Sequence, residues 1–263
     1  MQRDVSARIG IASRGRTRLA FAIGVAAGYD VSERFEASQG GRPLEVAVAA
    51  DLHGTRIHLV EVDEGPARFS YSATVRGTAA PLPLDPLDDW RYLRPSRYAE
   101  SDMLRPMALA EFAGLGGSEL LNAVSAWVGT HLTYRSGSSL PTDSAVRTLL
   151  NREGVCRDFA HLTVGLLRAL DIPARIVGVY APGLEPMDFH AVAEAHVAGD
   201  WHVIDATGLA PRSSLVRIAT GRDASDIAFL TSHGADLTLT EFEVAATVDR
   251  LPVDDPDELV VIR

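Results

Sequence analysis

Apolar and polar residues alternate along the first eighty positions. "VSARIGIA" (5–12), "TRLAFAIGVAA" (17–27), "VSERFEAS" (31–38), "LEVAVAA" (44–50), "TRIHLVEV" (55–62) and "ARFSYSATV" (67–75) are short and rich in β-branched or aromatic residues. Between them stand turn formers: "SRGR", "GYD", "QGGRP", "DLHG" and "DEGP". A period of two is that of a strand with one buried face, so the spacing predicts six strands forming a small antiparallel β-sandwich over residues 1–85. The proline- and acid-rich stretch that follows predicts an ordered linker crossing the surface at 86–103.

From residue 104 the period lengthens to that of a helix. "SELLNAVSAWVGTHLTY" (118–134) sets Leu120, Leu121, Val124, Trp127, Val128 and His131 on one broad face, with Ser118 as N-cap. "TDSAVRTLLNREG" (142–154) reads as a further helix, capped by Thr142 or Asp143, with Gly154 just past its end. Over 155–170, Phe159, Leu162, Leu166 and Leu170 recur at helical spacing. Then "ARIVGVY" (174–180) reads as a strand and "PGLEPMD" as a loop. "FHAVAEAHVAGDWHVIDATG" (189–208) reads as a hairpin turning at Gly199–Asp200, and "ADLTLTEFEVAATVDR" (235–250) as one more strand. Helices followed by a sheet make residues 104–263 an α+β core.

Composition narrows the function classes. The 263 residues are ample for a buried core, and 46% hydrophobic with 23% charged is ordinary for a globular chain. A net charge of −10 opposes binding to nucleic acid, which calls for basic surface. All 25 basic residues are arginine, which excludes a Schiff-base or P-loop lysine. One cysteine excludes an internal disulfide. The apolar run at 19–29 is shorter than the roughly 20 residues that a membrane span needs, and it reads as a strand. A cytoplasmic protein with no membrane partner is expected.

The single cysteine, Cys156, stands in "REGVCRDFAHL" (152–162), between a glycine and a helix. In the first turn of a helix a sulfur faces free backbone N–H groups and the positive end of the helix dipole, the setting of a nucleophile rather than a core filler. A nucleophile needs a base, and the base an orienting group. His161 lies five positions along the same helix and points away from Cys156, which makes it structural. On the hairpin, His190, Val192, Glu194 and His196 share one strand face, and Trp201, Val203 and Asp205 share a face of the partner strand. A turn at Gly199–Asp200 sets Asp205 opposite Glu194, four residues short of His190. Periodicity therefore leaves both His190 and His196 open as the base.

"GVCRDFAHL", "LRALDIPARIVGVY" and "HAVAEAHVAGDWHVIDATG", in that order, resemble the transglutaminase-like core of many bacterial cysteine peptidase homologues. The resemblance is firm over about residues 100–245 and looser before that. It implies a papain-like fold, with the nucleophile helix packed on an antiparallel sheet. It also implies Cys156 as nucleophile, His190 as base and Asp205 as orienting acid. The activity implied is acyl transfer through a thioester, with hydrolysis of a peptide or protein amide favoured. A cross-linking transglutaminase and a non-catalytic binding module are the alternatives. No cofactor is implied. Three positions depart from the family pattern: Val192 where Trp is usual, Ala206 where Pro is usual, and Asp171 where Gly is usual. Val192 is expected to alter the wall of the cleft and shift specificity.

No metal site is expected, because His190, His196 and His202 lack a third ligand at metal spacing. His53, His58, His131 and His233 are scattered and read as structural or exposed. Asp158 and Arg175 read as locally paired charges, and Glu194 is left outside the catalytic set. The acidic runs 85–89 and 254–258 read as solvated loops.

Overall fold

The computed structural model describes residues 1–80, 85–255 and 258–263. The chain runs β1 (Gln2–Ser13), β2 (Thr17–Phe21), β3 (Asp30–Gln39), β4 (Arg42–Pro43), β5 (Ala47–Ala50), β6 (Arg56–Val62) and β7 (Gly65–Arg76). Next come α1 (Asp88–Arg91), α2 (Ser101–Glu111), α3 (Gly117–His131), β8 (Thr133–Tyr134), α4 (Ala145–Asn151), β9 (Glu153–Gly154) and α5 (Cys156–Ala169). The remainder is β10 (Ala174–Tyr180), β11 (Phe189–Val197), β12 (Asp200–Ile204), β13 (Val216–Gly221), β14 (Leu230–Gly234) and β15 (Leu237–Val248). The architecture is α+β, with the larger sheets antiparallel throughout.

The alternating strands build two facing sheets, ordered β15-β1-β7-β3-β4 and β14-β2-β6-β5. Val5, Ala7, Ile9 and Ile11 of β1 and Phe69, Tyr71 and Val75 of β7 point inward against Leu19, Phe21, Val60 and Val62 of the second sheet. Each large side chain buried this way stabilises the fold by about 1.5–3 kcal/mol. The outermost strand of each sheet at one edge, β15 and β14, comes from the end of the chain. Strands counted with the core in a division at residue 104 thus hydrogen-bond to the N-terminal sandwich. Sequence spacing gives no sign of this, because alternation within a strand does not name its partner.

The run expected as one strand over 17–27 ends at Phe21. Ala22, Ile23, Val25 and Ala26 are buried all the same. The Ala22 N–H donates to the Phe229 carbonyl at 3.1 Å and the Ala26 N–H to the Arg217 carbonyl at 2.9 Å. The Tyr180 hydroxyl donates to the Ile23 carbonyl at 2.8 Å. The segment leaves its sheet to staple the sandwich onto the core.

The stretch 86–103, expected on the surface, is partly interior. Asp88 and Tyr92 are buried, and Asp88 pairs with Arg91. The acidic run 85–89 is therefore no solvated loop throughout. In the other acidic run, Asp254 accepts from the Ser213 hydroxyl at 2.6 Å, and residues 256–257 lie outside the described residues.

In the core, α5 packs on the sheet β12-β11-β10-β13. Phe159, Leu162 and Leu166 meet Leu104 of α2, Val124 and Val128 of α3, and Ala193, Ala195 and Ile204 of the sheet. The helix caps differ from expectation. α3 starts at Gly117 with Gly116 as cap instead of Ser118, and His131 is exposed, stacked on Trp127 at 4.0 Å. Ser144 stands at the N-cap position of α4 without a side-chain capping bond, and the Asp143 carboxylate instead accepts the Leu140 N–H at 2.9 Å. Asp171, where relatives usually carry Gly, takes φ 62° just past α5, the left-handed position that favours glycine at helix ends. Its carboxylate is held by Arg105 through two bonds of 3.0 Å.

The hairpin turns at Ala198–Gly199, one residue earlier than expected. Both take positive φ, 55° and 90°, as a two-residue hairpin turn of the twisted kind requires. Val197 pairs with Asp200, His196 with Trp201 and Glu194 with Val203. Extending that register sets Asp205 level with Val192, so the gap to His190 is two residues, not four. On one sheet face that is a diagonal neighbour.

Candidate active site

Cys156 is the first residue of α5, half-buried against the cluster of Ala160, Ile176 and Ala191. The local sequence builds this turn from the motif's own residues. The Asp158 carboxylate reaches back to accept the Val155 N–H at 2.8 Å and is itself buried. It is a helix cap, as its reading as a locally paired charge anticipates, and it also faces Arg157 at 3.7 Å. Gly154 is required beside it: a Cβ there would lie 2.6 Å from the Asp158 Cβ. Arg157 turns outward, donating to the Ser139 hydroxyl at 2.6 Å and the Leu140 carbonyl at 2.7 Å.

His190 lies near the start of β11, next to Ala191, which belongs to the apolar cluster that Cys156 packs against. Its Nε2 meets Asp205 Oδ2 at 2.8 Å, and both side chains are buried. Asp205 sits just past the end of β12. Its other oxygen accepts the Thr207 N–H at 3.0 Å and the Thr207 hydroxyl at 2.6 Å. Burial opposes charge on both partners, but the pairing outweighs it. The Asp205 carboxylate is held below its ordinary range by His190 and then Thr207. Burial likewise works against the His190 imidazolium, yet Asp205, and after it Cys156, push it up to about 10. The remaining ring nitrogen, Nδ1, has no hydrogen-bond partner among the described residues, which leaves it free to serve the sulfur.

A fourth element presses this turn from the side. β8 pairs in parallel with β9, so that Tyr134 lies level with Gly154. The Tyr134 ring packs on Phe159 at 5.9 Å. Burial, and then the Cys156 sulfur, push its phenol up to about 12. From behind, α3 approaches the loop that carries Asp205. A Cβ on Gly129 would meet the Ala206 carbonyl oxygen at 2.8 Å, so only glycine allows this approach.

The three residues singled out from sequence, Cys156, His190 and Asp205, thus come together. His196 does not join them; its Nδ1 meets Asp89 at 2.7 Å and its ring stacks on Trp201. His202 bonds the Val197 carbonyl at 3.2 Å. His161 is buried, and its Nε2 accepts the Ala224 N–H at 3.0 Å. Among the described residues, no three His, Cys, Asp or Glu side chains converge on a metal position. Glu194 is fully buried between Arg175 at 2.8 Å and Arg217 at 2.5 Å. Arg175 also lies over the Trp201 ring at 3.9 Å. Val192 forms no cleft wall: it is 1% exposed and packs among Val177, Val179 and Val203, with Val260 bridging to Val203 above them. The expectation of altered specificity through Val192 loses its basis.

Sequence reading missed Thr207, Tyr134 and Gly129. Thr207 had a signal, since an Asp followed two residues later by Thr is a local turn that fixes the carboxylate. Tyr134 and Gly129 had none, because their partners lie far along the chain.

Comparison with known proteins places this geometry. Residues 114–206 match the model of the transglutaminase-like superfamily, which spans Cys156, His190 and Asp205. A crystal structure of a candidate cysteine protease from Cytophaga hutchinsonii superimposes with a TM-score of 0.87 and 33% identity, covering 98% of this chain and 96% of that one. An uncharacterized Mycobacterium leprae protein, ML0607, is 29% identical over 140 residues, which is 49% of each chain. A Mycobacterium tuberculosis protein, Rv2569c, is 42% identical over 62 residues, 24% of this chain and 20% of its own length. The chain spans about half the length of the first of these mycobacterial relatives and about a fifth of the second. Among the described residues, no helix is long and apolar enough to cross a membrane. The full-length match in sequence and fold, together with the superfamily match around the cysteine helix, gives the conclusion that this chain belongs to the transglutaminase-like superfamily.

Proposed function

We propose that the protein is a cysteine-dependent acyl-transfer enzyme that hydrolyses a peptide or protein amide bond, with Cys156, His190 and Asp205 as its triad. One observation carries the reading: a buried His190–Asp205 pair of 2.8 Å whose free ring nitrogen serves a cysteine at a helix N-terminus. In the first step the Cys156 sulfur attacks the amide carbon, and the carbonyl electron pair moves onto oxygen. The Cys156 backbone N–H stabilises that oxyanion. The intermediate then collapses to a thioester, and the departing amine takes its proton from His190 Nδ1. Next, His190 accepts a proton from water, which attacks the thioester and releases the acid. Asp205 holds the ring tautomer and orientation throughout, and Thr207 holds Asp205.

Two reactions test this in the wild type and in His190→Ala: alkylation of Cys156 by iodoacetamide at pH 6.5, and the burst of nitrophenol from p-nitrophenyl acetate. Both are expected to run well ahead of a free thiol in the wild type. The substitution is expected to slow them about a hundredfold or more. A wild-type protein no faster than N-acetylcysteine, or an unchanged variant, would overturn the reading. Adding a primary amine to the acylated enzyme then reads the partition between hydrolysis and transfer.

A further inference from the structure

We infer that Ile227 is the apolar wall of an acyl-side subsite, so that the substrate carries an apolar side chain on the residue whose carbonyl the sulfur attacks. The inference rests on the acyl-transfer reading above and names the class of acyl group that the site takes.

The floor beside the nucleophile carries short side chains. Cys156 packs on the cluster that contains Ala160 and Ala191. Gly178 pairs with Ala191 across β10 and β11, and it is half-exposed, at the point where β10 slips register against β13. Ile227 packs on the same cluster as Cys156, and its Cδ1 lies 3.6 Å from where a Cβ on Gly178 would stand. A half-buried sulfur and a half-buried isoleucine thus border one shallow floor of alanine and glycine. The buried Nδ1 of His190, without a hydrogen-bond partner among the described residues, marks the reacting end.

The strand order says which part of the substrate meets this wall. The sheet runs β12-β11-β10-β13, with Asp205 just past β12 and His190 on β11. Ile227 lies over β10, on the other side. His190 protonates the departing amine, so the amine leaves toward β11 and β12. The acyl group stays on the sulfur and extends the opposite way, over Gly178 and against Ile227.

The wall is also held in place. Ile227 stands between β13 and β14, in a segment tied down on both sides. The Ala224 N–H donates to His161 Nε2 at 3.0 Å, which fastens the segment to the nucleophile helix itself. Asp223 accepts the Tyr98 N–H at 3.1 Å, and the Tyr98 ring stacks on His161 at 5.5 Å. Asp226, the residue before Ile227, accepts the Arg222 N–H and Nε at 2.9 Å each and its Nη2 at 3.1 Å. Buried His161, which the chemistry does not use, therefore fixes the distance between α5 and the wall. An apolar surface already fixed before binding gains affinity because no loop has to be ordered.

The test uses p-nitrophenyl acetate, butyrate and hexanoate, in which the leaving group is constant and only the acyl chain grows. Each burst rate is divided by the rate of N-acetylcysteine with the same ester. In the wild type this quotient is expected to rise about tenfold or more from acetate to hexanoate, since each fully buried methylene is worth about fourfold. In Ile227→Asn the rise is expected to shrink to about threefold or less, with Ile227→Ala between the two. Ile227→Ala adds no polar group, and it decides the matter if the asparagine variant does not fold.

A fast wild-type burst with a flat chain-length profile overturns the inference while leaving the triad standing. An undiminished rise in a folded variant overturns it as well. So do equal losses on all three esters, which mean that Ile227 only supports the nucleophile turn. A wild type no faster than N-acetylcysteine on any ester fells the acyl-transfer reading, and this inference with it.

Discussion

His190 and Glu194 sit four residues apart on one strand, and each carries a buried charge held by different means. For His190 the folded protein binds a proton more tightly than the unfolded chain does, to about 10 against an ordinary 6.5. A raised value stabilises fully below pH 6.5 and is lost as pH climbs toward 10. The wild type is therefore expected to lose thermal stability between pH 6.5 and 10, and His190→Gln to show a flatter profile by scanning calorimetry. Glu194 is pushed down to about 2, with burial resisting and Arg217 and Arg175 prevailing. Replacing it by Gln strands two buried guanidiniums. That costs about 3–5 kcal/mol, or roughly 10 °C in Tm for a chain of this size. A drop of a degree or two would mean that water reaches these arginines. At this scale the sequence spoke unevenly. Cys156 was conspicuous by its position, and Asp158 by its place in a helix start. Between His190 and His196, strand periodicity could not decide, since both lie on one face; only the register, and with it Asp205, separates them.

At the level of elements, β1, β6, β7 and α5 were legible because each satisfies its own period, whereas the run 17–27 is apolar beyond its strand, which ends at Phe21. The hairpin turn was not. Ala198 takes a left-handed conformation that its side chain does not advertise, and the one-residue error doubled the distance between His190 and Asp205 on paper. The approach of α3 to the Asp205 loop was also invisible, since it depends on Gly129 meeting a backbone oxygen far along the chain. This gives a pointed expectation. Gly129→Ala should favour the helix by about 1 kcal/mol in isolation. Here it must push the Ala206 carbonyl away and pull Asp205 with it. The nitrophenol burst is expected to fall about tenfold or more while circular dichroism stays native. A variant that is both more stable and fully active would mean that the loop yields without moving Asp205.

As a whole, the molecule joins its two layers by buried contacts, not by a hinge. Tyr180, Val216 and Ile218 of the core sheet sit in the same apolar cluster as the sandwich strands, and the staple at Ala22–Ala26 crosses between them. A fragment of residues 104–229 would bare that surface, and it is expected to fail to give a cooperative melt, whereas the full chain melts in one transition. Acid should test the buried interior. His53 beside Tyr92, pushed down to about 4 by burial and then Arg175, and His161, pushed down to about 3 by burial, are held neutral inside. A depressed value means stability present above pH 6.5 and lost below it, as the unfolded chain takes up protons that the fold refuses. Melting temperature is expected to fall between pH 6.5 and 4, and to fall less in His161→Asn, whose amide oxygen can still accept the Ala224 N–H.

The pairing of β1 with β15 also sets a timetable. At a synthesis rate of about 5–20 residues per second, roughly ten to fifty seconds separate the emergence of the two strands from the ribosome. Until then β1 can be matched by β7 on one side only, and its other edge, carrying Val5 through Ile11, offers unfilled backbone bonds to any passing chain. The nascent protein thus carries an open β1 edge through most of its translation, closed only once Val248 has emerged.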